Sequence, residues 1–176
     1  MAQFRNSRPV RYNQTTFFEG GKCIVTVTLT KPLERALDAN SNWAAEVTFH
    51  VRYAETDQMG IVHHSAYVPW LEEARSALSR QYGRPYADFE RAGYGLAVTE
   101  LHLRFISPAR YDQAVTVRIR VSKVRSRQVD FEYAVVDAAT GECLATGHTA
   151  HICINKAGRP VRMPPDWQAF WAGLER

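Results

Sequence analysis

The stretch YAETDQMGIVHHSAYVPWLEEAR, residues 53–75, is the most informative part of this sequence. It places two carboxylates around a threonine, adds a lone glycine and two adjacent histidines, and then continues with helical periodicity. From residue 67 onward, apolar side chains recur along one helical stripe: Tyr67, Trp70, Leu71, Ala74 and Leu78. Ser65 is the expected N-cap of this helix, and Gly83 followed by Pro85 predicts that it ends near Tyr82.

The residues on both sides of this helix read mainly as β-strands. Residues 46–53 alternate, with Val47, Phe49, Val51 and Tyr53 on one face. A short second helix is predicted at 85–91 and a terminal helix at 166–174. Alternation predicts four further strands, at 95–106, 114–124, 129–137 and 142–155. Because short connections make the last three of these antiparallel neighbours, we predict an α+β fold with one helix against one antiparallel sheet.

The domain organisation follows from a change in pattern near residue 45. Residues 1–44 are weakly periodic and are predicted to be a loosely attached extension, with a genuine extra strand at 23–30 as the alternative. The main domain is predicted at 45–160, followed by a tail at 161–176 that contains the terminal helix. A chain of 176 residues with 45% apolar residues is sufficient for one such domain with a core.

Charge and composition narrow the classes of partner. The net charge is +4, but residues 1–44 hold six Lys or Arg against three acids, and residues 45–176 hold sixteen against fifteen. A nearly neutral main domain argues against nucleic-acid binding. No apolar run has the roughly 18 residues of a membrane helix, and no secretory signal is visible. Three cysteines without a CxxC pair favour a reducing compartment, so we predict a cytoplasmic protein.

The sequence lacks the common motifs for metal binding, serine nucleophiles and phosphate binding. His148 and His151 are three apart in a strand, and His63 and His64 are adjacent and should diverge, so we expect no metal site. There is no GxSxG, GxGxxG or GK[ST] motif. A basic cluster is interpreted as the solvated face of a half-buried strand, with ligand phosphates as the alternative: Arg118, Arg120, Lys123, Arg125 and Arg127.

The two carboxylates at the helix start have two physical interpretations. Asp57 lies between a strand and a helix, in a loop where Gly60 permits an unusual backbone angle. The unpaired N–H groups at a helix N-terminus stabilise a nearby carboxylate, and this could be its entire role. The same N–H groups could instead hold the oxyanion of an acyl substrate while the carboxylate attacks it or activates water. The spacing alone leaves both interpretations open.

The run from Tyr53 to Tyr67, followed by Trp70, Glu72 and Ala74-Arg75, resembles the signature of hotdog-fold acyl-CoA thioesterases. The most similar group is the 4-hydroxybenzoyl-CoA thioesterase-like family, including its Tol–Pal-associated branch. The resemblance covers most of residues 45–160 and leaves residues 1–44 without a counterpart. It implies a hotdog fold, in which a curled antiparallel sheet wraps a long helix. It also implies homodimers, often assembled into tetramers, with the active site at the dimer interface.

The resemblance further implies roles for individual residues. Asp57 matches the catalytic carboxylate, and the helix that begins near His64 matches the one whose N–H groups polarise the thioester carbonyl. The substrate-binding residues implied are Gly60, His64, Tyr67 and Glu72, whereas Glu55 is expected to be structural. The substrate would be an acyl-CoA, so coenzyme A is part of the substrate and no separate cofactor is expected. Arg125 and Arg127 are the candidates for binding the CoA phosphates.

Departures from the family pattern and two competing functions also bear on the prediction. Ala66 replaces an asparagine that is common in relatives, and Pro69-Trp70 replaces a basic-aromatic pair, which leaves the acyl group undetermined. A hotdog hydratase or dehydratase would need a histidine five residues after its aspartate, where this sequence has Val62. A non-catalytic acyl-CoA-binding module would have no need of Asp57. Thioester hydrolysis is therefore the predicted function.

Overall fold

The computed structural model describes residues 42–175 and the backbone of two strands nearer the N-terminus. The chain divides into two units, Met1–Arg35 and Ala36–Arg176. In the first unit, strands β1 (Gln14–Glu19) and β2 (Lys22–Val27) form an antiparallel hairpin. Strand β2 overlaps the alternative strand at 23–30, whereas β1 has no counterpart in the prediction. The loose attachment predicted for the extension concerns residues outside those described, and it stays a prediction.

The second unit contains one five-stranded antiparallel sheet. Its strands are β3 (Ala45–His50), β4 (Tyr94–Phe105), β5 (Ala114–Val124), β6 (Gln128–Asp137) and β7 (Cys143–Asn155). Their spatial order is β3-β5-β6-β7-β4, so consecutive hairpins join β5, β6 and β7 as predicted. Among the described residues, strand β4 pairs only with β7, so it forms one edge of this sheet. Four of the five strands lie within a residue of their predicted limits.

Strand β3 is shorter than predicted because the chain turns before Tyr53. Residues Tyr53–Glu55 form a 3₁₀ turn instead of continuing the strand. Val51 is buried, but Tyr53 is 78% exposed, so the prediction that both share one face is wrong. Strand alternation applies only while the backbone stays extended, and the 3₁₀ turn ends it.

The long helix α1 (Tyr67–Gln81) packs its predicted apolar stripe into the core. Leu71, Ala74 and Leu78 are each 0% exposed, and Tyr67 and Trp70 are also buried. Gly147 in β7 allows a close approach at this point, because a Cβ there would lie 3.3 Å from Leu71 Cδ1. The helix ends at Gln81, with Tyr82 as C-cap, as the sequence predicts.

Two shorter helices complete the core on the same unit. Helix α2 (Tyr86–Arg91) and helix α3 (Pro165–Ala172) meet through Phe89 and Trp167, whose ring centroids are 4.9 Å apart. Trp171 in α3 is 1% exposed and packs edge-on against Phe131 of β6. The predicted terminal helix is therefore present, and its two tryptophans belong to the hydrophobic core.

Two further features of the described residues concern membrane-spanning helices and the reactivity of the cysteines. No helix among the described residues is long and apolar enough to cross a membrane. Cys143 and Cys153 are free and buried, and burial raises the pKa of both thiols. A raised pKa keeps these thiols protonated and poorly nucleophilic.

Candidate active site

The loop between β3 and α1 is closed by its own backbone hydrogen bonds. Thr56 and Val62 form an isolated antiparallel bridge, and the N–H of Asp57 donates to the carbonyl of Ile61 at 2.9 Å. At the tip, the N–H of Gly60 donates back to the carbonyl of Asp57 at 2.9 Å. Gly60 has φ +70°, a backbone angle that glycine adopts at little cost. This loop holds the half-buried Asp57 directly before the helix.

Glu55 is fully engaged in holding the loop to the helix. Its Oε2 accepts a hydrogen bond from the N–H of Arg52 at 2.8 Å, and its Oε1 accepts one from Trp70 Nε1 at 3.0 Å. Because Trp70 lies in the buried stripe of α1, this bond fixes the loop against the core. These two hydrogen bonds agree with the structural role predicted for Glu55, which stays a prediction.

Asp57 is bonded differently from Glu55. Its Oδ1 accepts a hydrogen bond from the N–H of Met59 at 2.8 Å, in a local turn that the side chain stabilises. Its second oxygen, Oδ2, accepts no hydrogen bond from any residue in the described part of the chain. The turn therefore orients the carboxylate and leaves one of its oxygens available to a ligand.

The start of the helix differs from the prediction. A 3₁₀ turn, His64–Ala66, precedes α1, and Ser65 lies inside this turn, so its assignment as N-cap is wrong. His63 takes that role: its Nδ1 lies 3.3 Å from the N–H of Ser65, and its carbonyl accepts from Ala66. The N–H of His64 has no acceptor among residues 42–175. An unpaired donor of this kind is typical of a helix start and can bind a ligand oxygen.

The sequence predicts that both histidine pairs point apart, and the outcome differs between the two pairs. The ring centroids of His63 and His64 are 4.0 Å apart, so the predicted divergence is wrong. The backbone is extended at His63 and helical from His64 onward, which swings the two rings to the same side. His148 and His151 have different ring neighbours, His102 and Phe131 respectively. Within the described residues, no group of three or more His, Cys, Asp or Glu side chains could hold a metal ion.

Asp57, His64 and Tyr67 line one cleft with a volume of about 440 Å³. The rest of its wall is mostly apolar: Met59, Ile61, Val62, Phe105, Ile106, Ser107 and Pro108. Tyr67 is 2% exposed, and its ring packs 5.0 Å from that of Phe105. Burial raises the pKa of Tyr67, partly opposed by a backbone hydrogen bond at Ala109, so the side chain is a neutral wall of the cleft. The structure thus brings three of the predicted site residues together.

Asp57 also lines a second cleft, of about 420 Å³, which shares no other lining residue with the first. This cleft is more polar, and its lining includes Arg52, Glu55, Thr56, His63 and Ser65. Asp57 therefore stands between an apolar cleft and a polar one. A substrate could therefore place an apolar group in one cleft and a polar group in the other, with the bond between them at Asp57.

The remaining predicted site residues lie elsewhere. Gly60 acts through the backbone of the loop, and the exposed Glu72 lines a different cavity, further along α1. Arg125 and Arg127 lie in the turn after β5, whereas Asp57 lies near the beginning of β5. The 11 residues of β5 span roughly 35 Å at about 3.3 Å per residue. Within one chain, these arginines are therefore far from Asp57.

The basic cluster does not form one solvated face. Arg120 is 8% exposed, its Nη2 lies 2.5 Å from Glu132 Oε2, and its guanidinium covers the ring of Trp43 at 5.1 Å. Arg118 pairs with Glu46 at 3.0 Å. The solvated-face interpretation is wrong for Arg120, because cross-strand partners allow an arginine to be buried on this face. Arg125 and Arg127 are exposed.

Sequence reasoning missed the far wall of the apolar cleft. Phe105, Ile106 and Pro108 lie about fifty residues from Asp57 and reach it through the sheet topology. The break at Ser107-Pro108 marked the end of β4 in the sequence, but nothing local showed which loop it would face. His63 was a second omission, and its position before the helix was the available signal.

The role of Gly60 can be tested by replacing it with alanine. We expect a loss of about 1 kcal/mol in stability, because φ +70° is strained for alanine although a Cβ would meet nothing within 4 Å. The same change should also lower activity, since the turn orients Asp57. Gly83→Ala is the matched control: φ is +71° and its surroundings are equally open, but it lies at the C-terminal end of α1. Equal activity losses in the two variants would contradict a specific role for the loop.

A five-stranded antiparallel sheet against one long helix is the architecture of the hotdog fold. The chain belongs to the Thioesterase-like superfamily, whose family model matches residues 51–171. That match is to the superfamily and does not single out a Tol–Pal-associated branch.

Individual relatives agree with this assignment. The Bacillus subtilis protein YneP, named as a candidate acyl-CoA thioesterase, is 33% identical over 69% of this chain and 90% of its own length. A DHNA-CoA thioesterase from Staphylococcus aureus has 32% identity and a TM-score of 0.70 over 73% of this chain and 89% of that one. The Thermus thermophilus protein TT1821 has 40% identity and a TM-score of 0.71, covering 74% and 99% respectively. The chain is a thioester hydrolase by these similarities.

Proposed function

We propose that this protein hydrolyses an acyl-CoA thioester to a free acid and CoA. The observation that carries the proposal is the position of Asp57, with one oxygen unbonded, between an apolar and a polar cleft. An acyl-CoA has the same asymmetry on either side of its thioester. The similarity to YneP, a candidate acyl-CoA thioesterase, and to the DHNA-CoA thioesterase of Staphylococcus aureus supports the same substrate class.

Asp57 acts on the thioester carbonyl by one of two routes. As a nucleophile, its carboxylate oxygen bonds to the carbonyl carbon, the carbon–sulfur bond breaks, and water then hydrolyses the resulting anhydride. As a general base, it removes a proton from the water that attacks the carbonyl carbon. Both routes place negative charge on the carbonyl oxygen, and the unpaired N–H of His64 at the helix start stabilises it. In both, the CoA thiolate leaves and takes a proton.

We also propose that two copies pair through strand β4. This 12-residue edge strand and the residue after it expose four large apolar side chains: Val98, Leu101, Phe105 and Ile106. An unpaired edge of this kind adds a second strand readily, and antiparallel pairing would extend the sheet across both subunits. Analytical ultracentrifugation should then give the mass of a dimer or of an assembly of dimers. A monomer at micromolar concentration would contradict this pairing.

Antiparallel pairing has a consequence for the site. It brings the Phe105 end of one β4, which borders Asp57, toward the Tyr94 end of the other. Arg125 and Arg127 lie at the Tyr94 end of their own sheet, because β6 begins there opposite the last part of β7. These arginines are therefore candidates for the CoA phosphates only across the interface, in a site that contains Asp57 of the partner subunit.

The test is CoA release from a panel of acyl-CoAs of different length and polarity, followed with a thiol reagent. We expect turnover of at least one member. Binding of acyl-CoA without turnover of any member would favour a non-catalytic module. Hydration of an enoyl-CoA without CoA release would favour the hydratase alternative.

The cytoplasmic location stays a prediction, and fractionation of the native cell would check it.

A further inference from the structure

Another cavity, separate from the two clefts at Asp57, lies beside α1. Its volume is about 240 Å³, less than the roughly 300–1,000 Å³ of sites that hold a whole drug-sized ligand, so it suits part of one. One stripe of α1 supplies four residues of its wall: Glu72, Arg75, Ser76 and Ser79. Helices α2 and α3 and strands β4, β6 and β7 supply the others: Tyr86, Leu96, Val98, Phe131, His151 and Trp171. The cavity has an aromatic and aliphatic wall with polar groups from the helix.

Arg75 is the unusual member of this wall. It is half-buried, and its Nη1 donates a hydrogen bond to Tyr133 Oη at 3.1 Å. It makes no ion pair with a carboxylate in the described part of the chain, although Glu72 lines the same cavity as an exposed residue. A half-buried guanidinium loses part of its hydration, which is costly without an anionic partner, whereas the buried Arg120 of strand β5 has Glu132. Arg75 therefore has capacity for an anion.

Tyr133, Thr149 and His151 form a chain of hydrogen bonds next to Arg75. Tyr133 Oη and His151 Nε2 each lie 2.9 Å from Thr149 Oγ1. Because Arg75 can only donate, Tyr133 donates to Thr149, and the Thr149 hydroxyl then finds its acceptor in His151 Nε2. This leaves the proton of the neutral imidazole on Nδ1. The ring stays neutral because burial, and then the charge of Arg75, lower the pKa of His151 to about 4.

Two buried donors in the walls of this cavity lack an acceptor in the described part of the chain. His151 Nδ1 and Trp171 Nε1 are buried atoms without a hydrogen-bond partner among the described residues, and both side chains line the cavity. The side chains are 2% and 1% exposed respectively. The backbone of Leu96 is close enough to His151 to oppose the lowering of its pKa, but it does not complete a hydrogen bond to Nδ1. Unsatisfied buried donors beside an unpaired guanidinium indicate a ligand rich in acceptor oxygens.

We propose that this cavity binds the far end of the acyl group, and that it selects acyl groups ending in an acidic oxygen, with a carboxylate as the simplest case. The inference rests on the proposed acyl-CoA hydrolysis and names its substrate class. The carboxylate pairs with Arg75, and the hydroxyls of Ser76 and Ser79 lie on the same helical stripe. Phe131 and Trp171 cover the methylene groups that lead to it.

The cavity serves a thioester held by the partner subunit. The Asp57 cleft reaches α1 at Tyr67, and Arg75 lies eight residues further along, which is about 12 Å of helix. The two cavities share no lining residue. In a β4 pairing centred on the strand, Val98 of one chain lies opposite Leu101 of the other, in the half of that strand that ends at Phe105. The cavity then faces the side of the interface on which Asp57 of the partner subunit lies. The acyl group then crosses the interface between the two sites.

The experiment compares adipoyl-CoA with hexanoyl-CoA, which differ only in a terminal carboxylate or methyl group. We expect the wild type to have at least a tenfold higher kcat/KM for adipoyl-CoA. Arg75→Met should remove this preference, mainly through a higher KM for adipoyl-CoA, and Arg75→Lys should retain part of it. Arg80→Met is the matched control, because Arg80 is an exposed arginine of the same helix paired with Glu73, and it should keep the wild-type ratio.

Binding to the Asp57→Asn protein, measured by calorimetry, separates this inference from the proposed function. Tighter binding of adipoyl-CoA than of hexanoyl-CoA supports the inference even if no thioester is hydrolysed, in which case only the proposed function fails. Hydrolysis with equal or reversed preference, or an unchanged preference in Arg75→Met, overturns the inference alone. Neither binding nor turnover of either thioester overturns both. If Arg75→Met does not fold, the wild-type kinetic ratio and this binding comparison decide the question.

Discussion

Asp57→Asn is expected to lower kcat/KM for acyl-CoA hydrolysis by about 10²–10⁴-fold while leaving the fold intact. The amide oxygen of asparagine can still accept the hydrogen bond from the N–H of Met59, so the turn persists. The loss therefore falls on the chemistry, since an amide neither attacks a thioester nor removes a proton from water. The melting temperature should stay within about 2 °C of the wild type, as for other surface changes within ±0.5 kcal/mol.

Glu55→Gln is the matched control for this prediction, because it neutralises the neighbouring carboxylate in the same loop. Its carboxylate accepts from two donors, Arg52 N–H and Trp70 Nε1, and an amide can accept properly from only one of them. We expect a loss of about 1–3 kcal/mol in stability, with kcat falling far less than in Asp57→Asn. Equal activity of Asp57→Asn and the wild type would remove Asp57 from the mechanism. A loss of activity shared equally by both variants would point to the loop rather than to one carboxylate.

Leu71→Ala is expected to destabilise the protein by about 2–5 kcal/mol. Leu71 is 0% exposed at the centre of the α1 stripe, and it meets the sheet where Gly147 leaves room for it. Truncation leaves a cavity that the glycine cannot fill, so both burial and packing are lost. The urea midpoint should fall in proportion, with an unchanged m-value.

Val68→Ala is the control for this core substitution. Val68 lies on the same helix but is 38% exposed, so the change should stay within about 0.5 kcal/mol. Alanine also has the higher helix propensity, which offsets part of the lost burial. A destabilisation below about 1 kcal/mol in Leu71→Ala would mean that α1 is not the centre of this core.

The periodic elements were predictable because their signals are local. The stripe from Tyr67 to Leu78 repeats at helical spacing, and β5 alternates, so each element shows which of its faces is apolar. Asp57 was identified by resemblance, since spacing alone treated Glu55 and Asp57 as equal carboxylates. The structure separates them: Trp70 Nε1 donates to Glu55, whereas one oxygen of Asp57 stays unbonded.

Other features of the site were not visible in the sequence because they depend on pairings between distant residues. Cross-strand neighbours decide that Arg120 is buried against Glu132, whereas Arg75 has a hydroxyl partner and no carboxylate among the described residues. The 3₁₀ turn decides that His63 caps the helix start and that Ser65 does not. A residue type in a local pattern carries no information about such partners.

The sequence by itself determined the class of fold, the long central helix and the carboxylate that precedes it. These follow from apolar periodicity and from a short contiguous motif, both of which depend on residues within a few turns of each other. Only the tertiary structure decided that β4 lies at the sheet edge beside β7, and that its end forms the wall of the Asp57 cleft. Strand order and cavity walls depend on which distant segments pack together, and that is set by the packing of the whole core rather than by any local stretch.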